Sequence, residues 1–370
     1  MPGDLDDNRT AELEAFLVLN ASGLTPMRQF ALLEPMGSAT AVLAATDREL
    51  VELEGITGAH VDRLRQAQRD VSPKVLRDRC EGLGVHPVPY TWPEYPPLLN
   101  DTKDRTPLLF VEGDFEKADE LSIAVVGTRK CSAYGRQMAQ RLAGDLARRG
   151  FTIVSGLALG IDGEAHEAVL EAGGRTIGVM ANGADITYPS QHKGLRERIA
   201  QSGAVVTEFG LGTEPLRERF PARNRLISGM SLGVLVVEAP VKSGALITAR
   251  IAGEQGRDVF AVPADVTRPE SRGCHALLKD GAHIVEFAED VVEGLGIMLR
   301  AVPERQPVDT AGLPGDERAV MEGLSHEPKC VDEIVAACGL PASKVTSALM
   351  LLEMKGIVRR LPGSTFVRIA

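Results

Sequence analysis

The sequence predicts an α/β protein: an extended Rossmann-like, doubly wound parallel sheet, with a small all-α N-terminal domain and a C-terminal winged-helix domain. Three observations carry this. Six short apolar runs from residue 121 onward alternate with amphipathic stretches, the pattern of strands buried on both faces and joined by helices. Residues 10 to 70 hold apolar clusters at helical spacing. Residues 316 to 370 give three helical stretches and then a hairpin pattern, the order of a winged helix-turn-helix.

Taken in order, residues 1–70 read as a helical domain. Leu13, Phe16, Leu17 and Leu19 precede a turn at Ser22-Gly23. Thr46 and Asp47 form an N-cap signal before Glu49, Leu50 and Leu53. Gly55-Ile56-Thr57-Gly58, between two helical patterns, resembles the hairpin of a helix-hairpin-helix unit, where glycines let backbone N–H groups approach a phosphate. The same four residues also suit an ordinary helix-joining turn. Residues 71–120 read as a proline-rich connector laid against the next domain, with Pro87, Pro89, Pro93, Pro96, Pro97 and Pro107 interrupting any periodicity.

The Rossmann-like domain spans 121–297. Its strands are expected at "IAVVG", "FTIVSG", "RTIGVM", "AVVTEF", "GVLVVEA" and "DVFAVP", with helices such as "AYGRQMAQRLAGDLARRG" between them. Residues 298–315 read as a linker carrying Pro303, Pro307 and Pro314. The winged helix is expected over 316–370, with helices at 316–324, 331–338 and 341–355 and a hairpin turning at Pro362-Gly363.

Composition removes several function classes. The formal net charge of −10 argues against coating duplex DNA by bulk charge, although only the local field matters at a groove. Five cysteines are scattered without a C-x-x-C pair, and His166 and His192 show no metal spacing, so no metal is expected. The acidic start "MPGDLDDNRT" is no secretory signal, and no apolar run reaches the roughly 20 residues of a membrane span. The expectation is a soluble, reduced, cytoplasmic protein. After the first strand, "GTRKCSAYG" has Gly127 and then no glycine before Gly135, so G-x-G-x-x-G is absent. The second strand ends at Ser155 rather than an acid, and no P-loop occurs; no nucleotide cofactor is expected.

In such a sheet, ligands bind at the carboxyl ends of the strands. Those ends carry small, polar and basic residues here: Gly127, Thr128 and Arg129; Ser155 and Gly156; Lys193; Arg223, Asn224 and Arg225; Ser243, Gly244 and Thr248. Helix N-termini opening through glycine and serine offer N–H groups to an anion, and arginines beside them add bidentate phosphate recognition. A single arginine after a strand is usually solvated or structurally paired. Four basic residues on one ligand edge point to phosphate. Asp162, Glu208 and Glu238 read either as acid–base groups or, by preference, as carboxylates that orient the arginines and cap helices.

At these residues the chain resembles the DNA-processing protein A family (DprA, also called Smf). The similar stretches are "VVGTRKCSAYG", "VSGLALGIDGEAHEAVL", "FPARNRLISGMS", "SGALITARIAGEQGRDVFAVP" and "SRGCHALLKDGA", in family order over about residues 90–292. The resemblance implies a non-enzymatic single-stranded-DNA-binding protein of natural transformation. It would protect incoming DNA and help load the RecA recombinase past single-strand-binding protein, as a dimer through the Rossmann-like core. It also implies a phosphate-binding role for Arg129 and places Lys193, Arg223, Asn224 and Arg225 in family motifs, while Arg217 and Arg219 fall outside them and read as solvated. His192 stands where the family pattern has asparagine, "VPADV" replaces Pro-Gly, and Tyr188 and Phe220 are the aromatics expected near the groove. The tail carries as many acids as bases, so its winged helix suits protein contact at least as well as duplex reading. The alternative reading is a lysine-decarboxylase-like nucleoside monophosphate hydrolase. That family's "P-G-G-x-G-T-x-x-E" compares with "VEAPVKSGALITA" here, which has Glu238 before the loop and no glutamate after it.

Overall fold

The computed structural model describes residues 2–296, 314–324, 329–354, 358–361 and 365–368. The chain divides into two compact units, Met1–Met298 and Leu299–Ala370.

All six expected strands form: β3 (Ser122–Val126), β4 (Thr152–Ser155), β5 (Thr176–Val179), β6 (Ala204–Thr207), β7 (Gly233–Val236) and β8 (Asp258–Ala261). Three more extend the sheet: β1 (Val85–Pro89), β2 (Leu108–Gly113) and β9 (His283–Ile284), giving the order β1-β2-β6-β5-β4-β3-β7-β8-β9. Neighbours from β6 to β9 are parallel, whereas β1–β2 and β2–β6 are antiparallel. The connector therefore builds sheet rather than merely lying on it. Pro87 and Pro89 are tolerated because β1 is an edge strand, where a missing N–H costs no ladder bond.

Helices α1 (Pro2–Ala21), α2 (Pro26–Met36), α3 (Ala39–Ala44), α4 (Asp47–Val51) and α5 (Gly58–Asp70) fill the N-terminal segment. Thr46 caps α4 through a reciprocal box: Glu49 N–H donates to Thr46 Oγ1 at 3.4 Å, and Thr46 N–H donates to the Glu49 carboxylate at 2.7 Å. The Gly55–Gly58 turn joins α4 to α5, with Ile56 buried and the Gly55 carbonyl accepting from Arg28 at 2.5 Å. The connector adds α6 (Pro73–Gly82) and α7 (Pro97–Asn100). Helices α8 (Ala133–Arg148), α9 (Ile161–Glu171), α10 (Lys193–Ser202), α11 (Arg219–Gly229), α12 (Gly244–Glu254), α13 (Arg272–Lys279) and α14 (Ala288–Gly294) belong to the Rossmann-like part.

Alternation along the strands explains the two covering layers. In β6, Val205 packs with Leu195 and Ile199 of α10 and with Phe16 and Leu19 of α1. Its neighbours Ala204 and Val206 pack on the other face with Leu226 and Ile227 of α11 and Ala245 and Ala249 of α12. The helical segment thus shares one apolar cluster with the sheet, so residues 1–70, 71–120 and the sheet form a single compact unit.

The second unit contains α15 (Gly315–Gly323), β10 (Lys329–Cys330), α16 (Val331–Cys338), α17 (Ala342–Met354), β11 (Val358–Leu361) and β12 (Thr365–Arg368). Its three-stranded sheet runs β10-β12-β11 around a core that includes Val320, Ile334, Leu349, Leu352 and Phe366. The chain turns through 107° between α16 and α17, as a helix-turn-helix requires. Most of the 298–315 linker and the Pro362-Gly363 turn lie outside the described residues. No single helix among the described residues is long and apolar enough to cross a membrane.

Candidate nucleic-acid interface

Strands β3 and β7 are parallel neighbours, but the chain leaves them in opposite directions, to β4 on one side and β8 on the other. Their carboxyl ends mark the switch point, where diverging loops leave a crevice. The two loops are tied at its floor: Thr128 N–H donates to Glu238 O at 2.7 Å. Gly127 is needed for this approach, since a Cβ there would sit 2.5 Å from Ile161 and 2.9 Å from Glu238 O.

Above the floor is an open groove of about 740 Å³. Its walls include Gly127, Thr128, Arg129, Arg223, Asn224, Ser243, Gly244 and Thr248 of the sequence-derived set, together with Tyr188, Arg217, Phe220 and Lys242. Ser243 caps α12, its Oγ accepting from Ala245 N–H at 3.3 Å, so the positive end of an 11-residue helix opens into the groove. Arg129, Arg217 and Lys242 are exposed, and among the described residues none of them forms an ion pair. The Arg129 guanidinium lies 4.7 Å from the Phe220 ring centroid, and Phe220 packs on Tyr188 at 5.7 Å.

Arg223 forms the inner wall. It is 3% exposed, donates to the Val179 carbonyl, and keeps an Nε with no hydrogen-bond partner among the described residues. Burial pushes its guanidinium down to about 10, against the pull of nearby Asp162. Burial pushes the Asp162 carboxyl up, while Arg223 and the N–H of Gly156, donating at 3.1 Å, hold its charge.

Four sequence-derived residues lie elsewhere. Ser155 is fully buried and donates to Val125 O at 2.6 Å, because the strand ends with its side chain turned into the sheet. Gly156 commits its N–H to Asp162 and borders a recess of about 40 Å³ beside the groove. Lys193 opens α10 on the surface and is not part of the groove wall. Arg225 points away altogether: it pairs with Glu208 and donates to the Asp104 carbonyl. Conversely, Arg217, set aside from sequence as solvated, stands on the groove. Lys242 was within reach of sequence reasoning, since it directly precedes the N-cap of α12.

The three carboxylates do structural work. Glu238, 2% exposed, accepts from Ser132 N–H at 2.7 Å and Ser132 Oγ at 2.6 Å, fixing the start of α8. Glu208 binds Arg225, and Asp162 binds Gly156. Buried His166 donates from Nδ1 to Thr176 Oγ1 at 2.7 Å, because that hydroxyl's proton goes to Ile153 O. Among the described residues no group of three His, Cys, Asp or Glu side chains is placed to hold a metal ion.

Fold and groove together define a Rossmann-like anion-binding protein with an appended winged-helix unit. Comparison with known proteins gives the family. The family model described as DNA recombination-mediator protein A matches residues 87–296, and the DprA winged helix domain matches 304–364. Protein Smf of Escherichia coli K12 is 40% identical over 318 residues, 83% of this chain and 84% of that protein. The X-ray structure of DNA processing protein A from Streptococcus pneumoniae has a TM-score of 0.67 at 34% identity, covering 75% of this chain and 95% of that one. A Helicobacter pylori DNA processing protein A structure, described for its single-stranded-DNA binding mode, has a TM-score of 0.52 at 31% identity, covering 57% and 95%. The chain belongs to the DNA-processing protein A (DprA/Smf) family.

Proposed function

We propose that this protein is a non-enzymatic single-stranded-DNA-binding recombination mediator. It receives the strand in the switch-point groove, protects incoming DNA, and helps load RecA past single-strand-binding protein. It acts in the cytoplasm as a homodimer through the Rossmann-like unit. The supporting observation is the groove itself, where three exposed cations and a helix N-terminus face an open space walled by Tyr188 and Phe220. Phosphates are met by charge, and aromatic faces accept any base, a combination that suits single strands. The Helicobacter pylori relative supports the same ligand.

The hydrolase alternative needs a carboxylate free to act on a sugar. Glu238 is held by Ser132, and Asp162 is held by the Gly156 N–H. The decisive experiment titrates a labelled single-stranded oligonucleotide against the parent and against Arg129→Ala and Arg223→Ala. Loss of affinity in folded variants is expected. Parent-like binding by both sinks the site assignment, and release of free base from AMP would overturn the non-enzymatic reading.

A further inference from the structure

We propose that the groove is built around one nucleotide unit, so that a free nucleoside monophosphate binds it and competes with the strand; this rests on the DNA-binding reading of the same groove. The space, about 740 Å³, falls in the range of small-ligand sites, roughly 300–1,000 Å³. Its two ends differ in chemistry. At one end the N-terminus of α12, opening at Ser243 and Gly244, stands with Lys242, a set that suits a phosphate. At the other end Tyr188 keeps 42% of its surface exposed and packs on Phe220, leaving an aromatic face for a base.

A second observation points to a ligand between these ends. Arg223 is 3% exposed, forms part of the groove wall, and has a buried Nε without a hydrogen-bond partner among the described residues. A buried cationic donor left in this state is satisfied by an acceptor that enters the groove, such as a phosphate oxygen or a base ring atom. Every group in this set addresses the phosphate or the ring of a single unit. A free mononucleotide therefore offers the whole recognition set at once, and inorganic phosphate or a nucleoside offers only half. Turnover does not follow, since Asp162 is held by the Gly156 N–H.

The test is displacement of a labelled oligodeoxynucleotide from the full chain, followed by anisotropy, with dAMP, deoxyadenosine or inorganic phosphate as competitor. dAMP should displace with a midpoint at or below about 1 mM, and the two half-ligands should need at least about tenfold more. Tyr188→Ala, a surface change, should raise the dAMP midpoint by about tenfold. If the oligonucleotide binds but dAMP does not displace it, or displaces no better than inorganic phosphate, the proposal is wrong and the DNA-binding reading stands. If the oligonucleotide itself fails to bind, the DNA reading falls, and equilibrium dialysis of dAMP decides the proposal directly. Retention that Tyr188→Ala abolishes supports it, and no retention overturns it.

Discussion

Arg223 and Arg225 stand two positions apart on α11 and face opposite ways: Arg223 walls the groove, and Arg225 is held by the Glu208 carboxylate and the Asp104 carbonyl. At 3.6 residues per turn, positions i and i+2 lie about 200° apart around the axis. One arginine is therefore offered to a ligand, and the other ties the helix to its surroundings. Asn20 of α1 joins the same network by donating to Glu208 O at 3.0 Å.

Removing Arg225 should cost stability. Glu208 is 7% exposed, so Arg225→Ala leaves a buried carboxylate without its cation, a loss of about 3–5 kcal/mol. Urea unfolding should show that loss, while Arg129→Ala, an exposed change, should stay within about 0.5 kcal/mol of the parent. Equal effects from the two substitutions would contradict the assignment.

Gly156 makes room for Arg223. A Cβ at this position would lie 2.2 Å from Arg223 Nη1, so Gly156→Ala must push the guanidinium from its seat. Oligonucleotide affinity should fall in a protein whose circular dichroism and cooperative unfolding are retained. Parent-like affinity would show that the seat of Arg223 is irrelevant to binding.

His166 sets a pH dependence. Burial pushes its imidazole down to about 3, so the folded protein keeps it neutral while the unfolded chain protonates it near ~6.5. The unfolded state then binds more protons as pH falls below that value, and stability drops by about 1.4 kcal/mol per pH unit down to the folded value. Between pH 6.5 and 5 the parent should lose about 2 kcal/mol relative to His166→Gln. Taking this difference cancels Asp162 and Glu208, whose raised carboxyls act with the opposite sign in both proteins. Parallel pH profiles would rule the effect out.

The C-terminal unit should be dispensable for strand binding. Its core is its own, and Lys344 of α17 is paired with Asp316 at 3.0 Å rather than free for a phosphate. Deletion of residues 299–370 should leave oligonucleotide affinity and the unfolding of the first unit unchanged. A large loss of affinity would place part of the site in the winged helix.

Much of this was legible in the sequence. The six central strands showed as continuous apolar runs because both of their faces are buried, and Thr46 with Glu49 declared the cap of α4. Strands β1 and β2 were hidden because Pro87, Pro89 and Pro107 break the pattern that an edge strand does not need. The groove's loops were legible from the switch-point rule, but side-chain direction was not. Ser155 and Arg225 occupy ligand-edge positions in sequence, yet one turns into the sheet and the other around its helix. Arg217 was misjudged for the converse reason, since a loop carries no periodicity from which to read its facing.

The most direct measurement titrates single-stranded and duplex oligonucleotides of the same sequence at several salt concentrations, for the parent and for a variant with Arg129, Arg217 and Lys242 replaced by alanine. Single strands should bind more tightly than duplex. Each lost phosphate contact should flatten the log–log salt slope by about 0.7, roughly 2 for the three together. Duplex binding as tight as single-strand binding, or a salt slope that the triple substitution leaves untouched, would contradict the assignment of the groove to single-stranded DNA.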